Sequence, residues 1–223
     1  MTAIDHKSMC TQRFILSVLT FLLGPCSFLF GLIGDGYNPT DWYKSISATY
    51  YATSNVLMIG FLTAVSIFFF AYKGYDIRDR ICSLIEAICC IGIVLFPCNS
   101  LFILPYTIGI FQLPGKISNI FHCVFAAVLF LTFGFNLIFL FTLGKDEKTN
   151  KKKIRDIIYR TCGIVIWVMC VFQAITTSVW KWYPEWYPNT LINEIVMLTA
   201  FAFAYLVKSE GIAKFNDEPN TKL

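Results

Sequence analysis

The sequence predicts an all-α, polytopic membrane protein: a bundle of six transmembrane helices with both termini cytoplasmic. Two observations carry this. Six apolar stretches, each about long enough to cross roughly 30 Å of hydrocarbon, are separated by short loops. The basic residues between them fall almost entirely on one side. Composition agrees, since the chain is 57% hydrophobic and 14% charged, with 22 Phe, whereas ordinary soluble domains are roughly a quarter charged. A soluble chain of this make-up would lack polar surface to cover its core. Lipid removes that difficulty by solvating apolar side chains directly. The whole chain, 1–223, reads as a single transmembrane domain.

The spans fall at about 14–33, 48–72, 81–97, 119–143, 157–180 and 191–207. The third and sixth are near the short limit. Helices rather than barrel strands are expected, because stretches such as 61–72 and 120–141 lack a period-2 alternation. The first span follows Lys7 and Arg13, as a signal peptide would, but its apolar run is too long for one and no Ala-x-Ala site follows. Leu22-Leu23-Gly24-Pro25-Cys26 imitates a lipoprotein site, yet Pro25 before the cysteine argues against processing. The first span is therefore expected to stay as a signal anchor.

Orientation follows from Lys and Arg. Lys7, Arg13, Lys73, Arg78, Arg80, Lys145, Lys148, Lys151, Lys152, Lys153, Arg155, Arg160, Lys208, Lys214 and Lys222 lie in one set of loops and tails, against Lys44, Lys116 and Lys181 in the other. Such an excess marks the cytoplasmic side. The opposite loops are aromatic, with Asp41-Trp42-Tyr43 and a run from Trp180 to Tyr187 reading as interfacial belts. The segment 98–118 is apolar but broken by Pro105, Gly109, Pro114 and Gly115. As a seventh span it would reverse the basic loop 145–155, so an outer interfacial or re-entrant element is expected.

Nine cysteines do not suggest a disulfide framework, because Cys26, Cys82, Cys89, Cys90, Cys123, Cys162 and Cys170 lie within spans, where thiols act as small hydrophobes. Cofactors and metals are not expected. There are two histidines, His6 and His122, and no H-x-x-x-H, H-E-x-x-H, Cys-pair, P-loop or Rossmann pattern. No internal repeat supports an inverted-repeat transporter. The cations of the basic inner loops can attract anionic lipid, although topology alone accounts for them, and nucleic acid is not an expected partner.

Ionisable groups at membrane depth are costly and therefore informative. Glu86, His122 and Glu194 are three such groups. Glu86 is expected to pair or to snorkel toward Lys73 or Arg160. His122 and Glu194 sit about one turn below the outer ends of spans four and six, and Ser47 opens span two at the same level. Helical spacing puts Ser47, Tyr51 and Ser54 on one face of span two. It groups His122, Ala126, Leu129, Phe133 and Asn136 on span four, and Glu194, Leu198, Phe201, Tyr205 and Lys208 on span six. Ser47, Tyr51, His122 and Glu194 are thus the candidate lining of an outer polar pocket. The same groups can equally form a structural lock between helices, or a Ser/His/acid site if they meet within hydrogen-bond reach.

Several ordered motifs remain: Ser45-Ile46-Ser47-Ala48-Thr49-Tyr50-Tyr51, Tyr72-Lys73-Gly74-Tyr75-Asp76, Phe96-Pro97, His122, Tyr159-Arg160-x-Cys162-Gly163, Glu194, and Ala204-Tyr205-Leu206-Val207-Lys208-Ser209-Glu210. The set resembles a widespread group of uncharacterised bacterial six-span membrane proteins over most of the chain. More remotely, Ile46-Ser47, His122 and Glu194 resemble the six-span family of damage-regulated autophagy modulators and their GPI-anchor-remodelling relatives. The resemblance implies a lipid-associated role rather than a reaction. The leading expectation is a lipid-associated integral membrane protein of a plasma or inner membrane, or of an organelle. A membrane-embedded enzyme acting on a lipid or lipid-linked substrate is one alternative, and a small transporter or channel subunit another. Membrane lipids are the expected partners, with a protein partner or a homo-oligomer left open.

Overall fold

The computed structural model describes residues 3–35, 41–99, 107–143, 149–178 and 187–216. Among them run six α-helices: α1 (Ala3–Asp35), α2 (Asn55–Ala71), α3 (Ile77–Leu95), α4 (Gly115–Phe135), α5 (Asn150–Ser178) and α6 (Asn189–Lys208). Each packs on the next in sequence, and α6 packs back on α1, so the helices close a ring. Four segments are long and apolar enough to cross a membrane: His6–Asp35, Gly115–Leu140, Asn150–Thr177 and Asn189–Lys208. The apolar α2 has 17 residues, or about 26 Å at 1.5 Å per residue. In α3, Arg78, Asp79, Arg80 and Glu86 interrupt an otherwise apolar sequence.

The ring is apolar on both faces. Outward, Ile120, Val124, Val128 and Leu131 of α4 and Ile164, Val168 and Val171 of α5 are exposed. That is the surface lipid covers without cost. Inward, alternate helices meet through aromatic rings. Phe69 of α2, Phe133 of α4 and Phe201 of α6 are fully buried, with the Phe133 and Phe201 centroids 3.8 Å apart and Phe69 5.9 and 6.1 Å from them.

Several boundaries differ from the sequence expectation. The second span does not begin at 48. Residues Ser47–Tyr51 form a 3₁₀ turn, Ala52 is extended, and α2 starts at Asn55. Ser47, Tyr51 and Ser54 are therefore not one face of a membrane helix. Hydroxyls are the cause, because they offer the backbone alternatives to the helical ladder. Thr49 Oγ1 donates to the Ile46 carbonyl at 2.6 Å, and Ser54 Oγ donates to the Ser27 carbonyl on α1 at 2.6 Å. The fourth helix begins at Gly115, and its α-helical part passes into a π-turn at Asn136–Leu140. Within 98–118, Thr107–Ile108 (β1) and Leu113–Pro114 (β2) pair antiparallel around a turn at Gly109, whose φ of 71° suits glycine. Residues 100–106 lie outside the described residues, as do the aromatic run 180–186 and Lys145 and Lys148.

Two helix contacts depend on a missing side chain. A Cβ on Gly134 of α4 would stand 2.1 Å from the Trp167 indole nitrogen, and one on Gly163 of α5 2.6 Å from Ile138. Small residues let helix backbones approach in this way. Gly60 on α2 has open space instead. Gly134→Ala should therefore destabilise by about 1–3 kcal/mol through overpacking. Gly60→Ala should be neutral or stabilising by up to about 1 kcal/mol. Thermal unfolding in detergent checks both, and equal melting temperatures for the two variants would contradict the close approach of α4 and α5.

Candidate functional site

The residues expected to build an outer pocket are satisfied mainly by backbone. Glu194 reaches from α6 to the start of the 3₁₀ turn. Its Oε2 accepts the Ile46 N–H at 2.5 Å, and its Oε1 accepts the Ser47 hydroxyl at 3.4 Å. An anion there satisfies amides that a helical start leaves without intrahelical partners. His122 works elsewhere, with Nδ1 2.9 Å from the Phe96 carbonyl at the end of α3. Tyr51 donates to the Cys98 carbonyl at 2.5 Å, and Ser118 to the Pro97 carbonyl at 2.8 Å. Three side chains thus hold three successive carbonyls where α3 ends.

The structure therefore joins Ser47 with Glu194, and brings Tyr51 and His122 to the 96–98 segment. No hydrogen bond or ion pair links His122 to Glu194. The cleft beside Ser47 and Glu194 has about 50 Å³, room for a few waters at most. Neither Tyr51 nor His122 lines it. Burial, with the nearby Glu194 carboxylate adding, pushes the Cys98 thiol up to about 12, which disfavours its thiolate.

The large cavity is at the other, basic end. It has about 640 Å³, and its lining includes Tyr75, Asp79, Lys152, Arg155, Tyr159 and Lys208. Its rigid wall is the turn between α2 and α3. Gly74 adopts a φ of 72°, and a Cβ there would stand 3.0 Å from the Arg80 amide. Asp76 Oδ1 accepts the Asp79 N–H at 2.9 Å as the cap of α3. That backbone bond holds the Asp76 carboxyl below its ordinary range. Arg80 folds back to donate to the Phe70 carbonyl at 2.7 Å and to the Tyr72 carbonyl.

Behind this wall lies Arg13, expected in a cytoplasmic tail but fully buried within α1. Its Nε donates to the Tyr72 hydroxyl at 3.1 Å, joined there by Nη2, and its Nη1 donates to the Tyr75 hydroxyl at 3.0 Å. The guanidinium also lies over the Tyr75 ring, 4.6 Å from its centroid. Tyr72 passes the interaction on, donating to Asp79 Oδ2 at 3.2 Å, which also accepts the Tyr75 N–H at 3.0 Å. Asp79 Oδ1 is buried and has no partner.

Lys208 closes α6 against the same cavity. Its ammonium donates to the Phe141 carbonyl at 3.0 Å and lies 5.1–5.5 Å from the Phe141, Tyr159 and Tyr75 centroids. The π-turn makes this contact available, since Phe141 N–H bonds the Asn136 carbonyl five residues back. Among the described residues, no carboxylate lies within ion-pair distance of Arg13 or Lys208. At the mouth, Lys152 pairs with Asp156 at 2.6 Å and Arg155 donates to the Phe215 carbonyl at 2.6 Å. Arg13 behind the wall and Lys208 on the cavity thus stand on either side of Asp79 without a direct ion pair to it.

Deeper still, Glu86 does not snorkel to Lys73 or Arg160. It is fully buried, and its Oε1 accepts Asn136 Nδ2 at 3.3 Å, the same amide that lies 3.4 Å from the Tyr205 hydroxyl. A neighbouring amide within the bundle is nearer than the surface.

Sequence reasoning missed Arg13, Asp79 and Lys208 as a cluster. A signal was present, because three quoted motifs, around Tyr72–Asp76, Tyr159 and Tyr205–Lys208, close around this cavity. Compared with known proteins, the chain matches no family model, no curated protein and no solved structure.

Arg13 and Asp79 should be coupled through Tyr72. Arg13→Met should cost about 1–3 kcal/mol by taking the guanidinium donors from the buried Tyr72 hydroxyl that also bonds Asp79. Adding Asp79→Asn should cost less than the two singles sum to. Tyr72→Phe should lose about 1–3 kcal/mol. Unfolding of each variant in detergent measures these terms, and strict additivity would refute the coupling.

Proposed function

We propose that this is a six-span integral membrane protein, with both termini and its basic end in the cytoplasm, that binds the phosphate of an anionic inner-leaflet lipid in its basic-end cavity. The cavity itself carries the reading: Lys152, Arg155 and Lys208 line it together with Tyr75, Tyr159 and Asp79, and Arg13 is buried behind the Tyr75 wall. A phosphate supplies the charge that is lacking, and tyrosine hydroxyls and guanidinium groups are suited to its oxygens. The volume falls within the roughly 300–1,000 Å³ of small-ligand sites, which suits a headgroup.

Topology supports the same assignment. The cations Lys151, Lys152 and Lys153 stand at this end, and each basic residue near an anionic leaflet contributes about 1 kcal/mol of attraction. α2 and α3 pack between α1 and α4 in the closed ring, so crossing the same layer is the economical path for both. A binding role is favoured over group transfer because no serine, cysteine or histidine lines the cavity among the described residues. The Ser47, His122 and Glu194 alternative lacks support for catalysis, since their hydrogen bonds go to backbone or tie two segments together. The lipid-associated role expected at the outer leaflet is therefore proposed at the inner one.

In nanodiscs of phosphatidylcholine, adding phosphatidic acid should raise the melting temperature of the native protein by mass action. Lys208→Gln should lose most of that rise, while Lys116→Gln, at the opposite end, should keep it. An undiminished rise in Lys208→Gln would sink the site. For topology, Asn150→Cys on a background without native thiols should react with an impermeant maleimide only after permeabilisation. Labelling in intact cells would reverse the orientation.

A further inference from the structure

We propose that His6, Cys10 and Glu210 form a three-ligand site for a zinc-type divalent metal at the rim of the basic-end cavity. The inference does not rest on the lipid reading. His6 and Cys10 are four residues apart on α1, so their side chains share a face. Glu210 comes to them from just beyond the end of α6. His6 Nε2 lies 3.3 Å from Glu210 Oε1 and 4.0 Å from Cys10 Sγ, and the three ligand atoms are within 4.8 Å of one another.

Those separations are close to what one metal imposes. Zinc bonds of about 2.0–2.1 Å to nitrogen, 2.0–2.2 Å to carboxylate oxygen and 2.3 Å to sulfur, set tetrahedrally, hold nitrogen and oxygen about 3.3 Å apart and nitrogen and sulfur about 3.6 Å apart. The first distance is already met, the second needs a closure of a few tenths of an ångström, and the sulfur–oxygen pair, within 4.8 Å, closes by up to about 1.2 Å through side-chain rotation. Imidazole, thiolate and carboxylate together are a borderline donor set that suits zinc. Three protein ligands leave a fourth position for water or another ligand.

The backbone presents Glu210 deliberately. Its φ is 61°, a left-handed conformation in which glycine is favoured after a helix. The turn is held by Gly211 N–H to the Leu206 carbonyl at 3.2 Å and by Asn216 Nδ2 to the Glu210 carbonyl at 2.7 Å. Glycine would satisfy this turn with less strain, but it would lack the carboxylate that reaches His6 on α1. Glu210 also lines the large cavity. The metal would clamp the start of α1 to the end of α6, and metal uptake would release the thiol proton of Cys10.

The test uses the full-length protein in detergent, with any affinity tag removed and metal stripped by chelator. Titration with Co²⁺ should saturate at one equivalent, with a near-ultraviolet thiolate charge-transfer band and visible bands of tetrahedral intensity, all erased by Zn²⁺. Cys10→Ser should abolish the charge-transfer band although the other eight cysteines remain. His6→Ala and Glu210→Gln should weaken affinity by more than the roughly 10–100-fold that loss of an outer-shell partner costs. Metal-free variants should melt with metal-free native protein, which separates lost ligation from lost folding. Absence of the band at one equivalent would overturn the site, as would a band of equal strength in Cys10→Ser. An unchanged Co²⁺ affinity in the His6→Ala and Glu210→Gln variants would do the same, reducing the cluster to an ion pair.

Discussion

One guanidinium organises the basic half of the molecule. Arg13 interrupts the apolar α1 and is buried completely, held by two tyrosine hydroxyls 59 and 62 residues away along the chain. A cation at that depth is tolerated only when acceptors and ring faces surround it. Tyr72 and Tyr75 must therefore stand where Arg13 can reach them, which pins the α2–α3 turn to the first helix. With the turn pinned, Tyr72 orients Asp79, Arg80 closes the end of α2, and the cavity acquires a fixed wall. Lys208 then enters from α6 over the same aromatic floor. Remove the guanidinium and the tyrosines lose the reason for their positions.

The opposite end is built differently. Carboxylate and imidazole there serve backbone amides and carbonyls, one at the start of the 3₁₀ turn and one at the end of α3. Such locks pre-empt the chemistry that a serine, a histidine and a glutamate at one depth suggest. The candidate outer pocket is consequently divided between two locks. Asn136, Glu86 and Tyr205 form a buried group of their own below the Phe69, Phe133 and Phe201 rings.

Much of the helical core was legible. The face running from His122 through Leu129 and Phe133 to Asn136, and that through Leu198, Phe201 and Tyr205, are buried as their spacing requires. Shared depth grouped Ser47, Tyr51, His122 and Glu194, of which the structure bonds Ser47 to Glu194 and takes Tyr51 and His122 to the 96–98 segment. What spacing could not convey was competition at short range and attraction at long range. Hydroxyls at Ser47, Thr49 and Ser54 shorten the second helix by offering the backbone other partners. Arg13 counts as one more basic loop residue until the tyrosines that enclose it are known. His6-x-x-x-Cys10 is neither a His pair nor a Cys pair, and its third member is 200 residues further on. Glu86 turns inward because Asn136, buried on the same face as Phe133, offers it an amide within the bundle.

The three phenylalanine rings have an electrical consequence. They form an apolar partition on the outer side of Tyr205, and in the proposed orientation most of the membrane potential falls across that partition and the helices around it. Carrying one charge through a full 100 mV is worth about 2.3 kcal/mol. A phosphate seated beside Lys208 has crossed almost none of it. Occupancy of the cavity would then follow the composition of the adjacent leaflet and ignore the voltage.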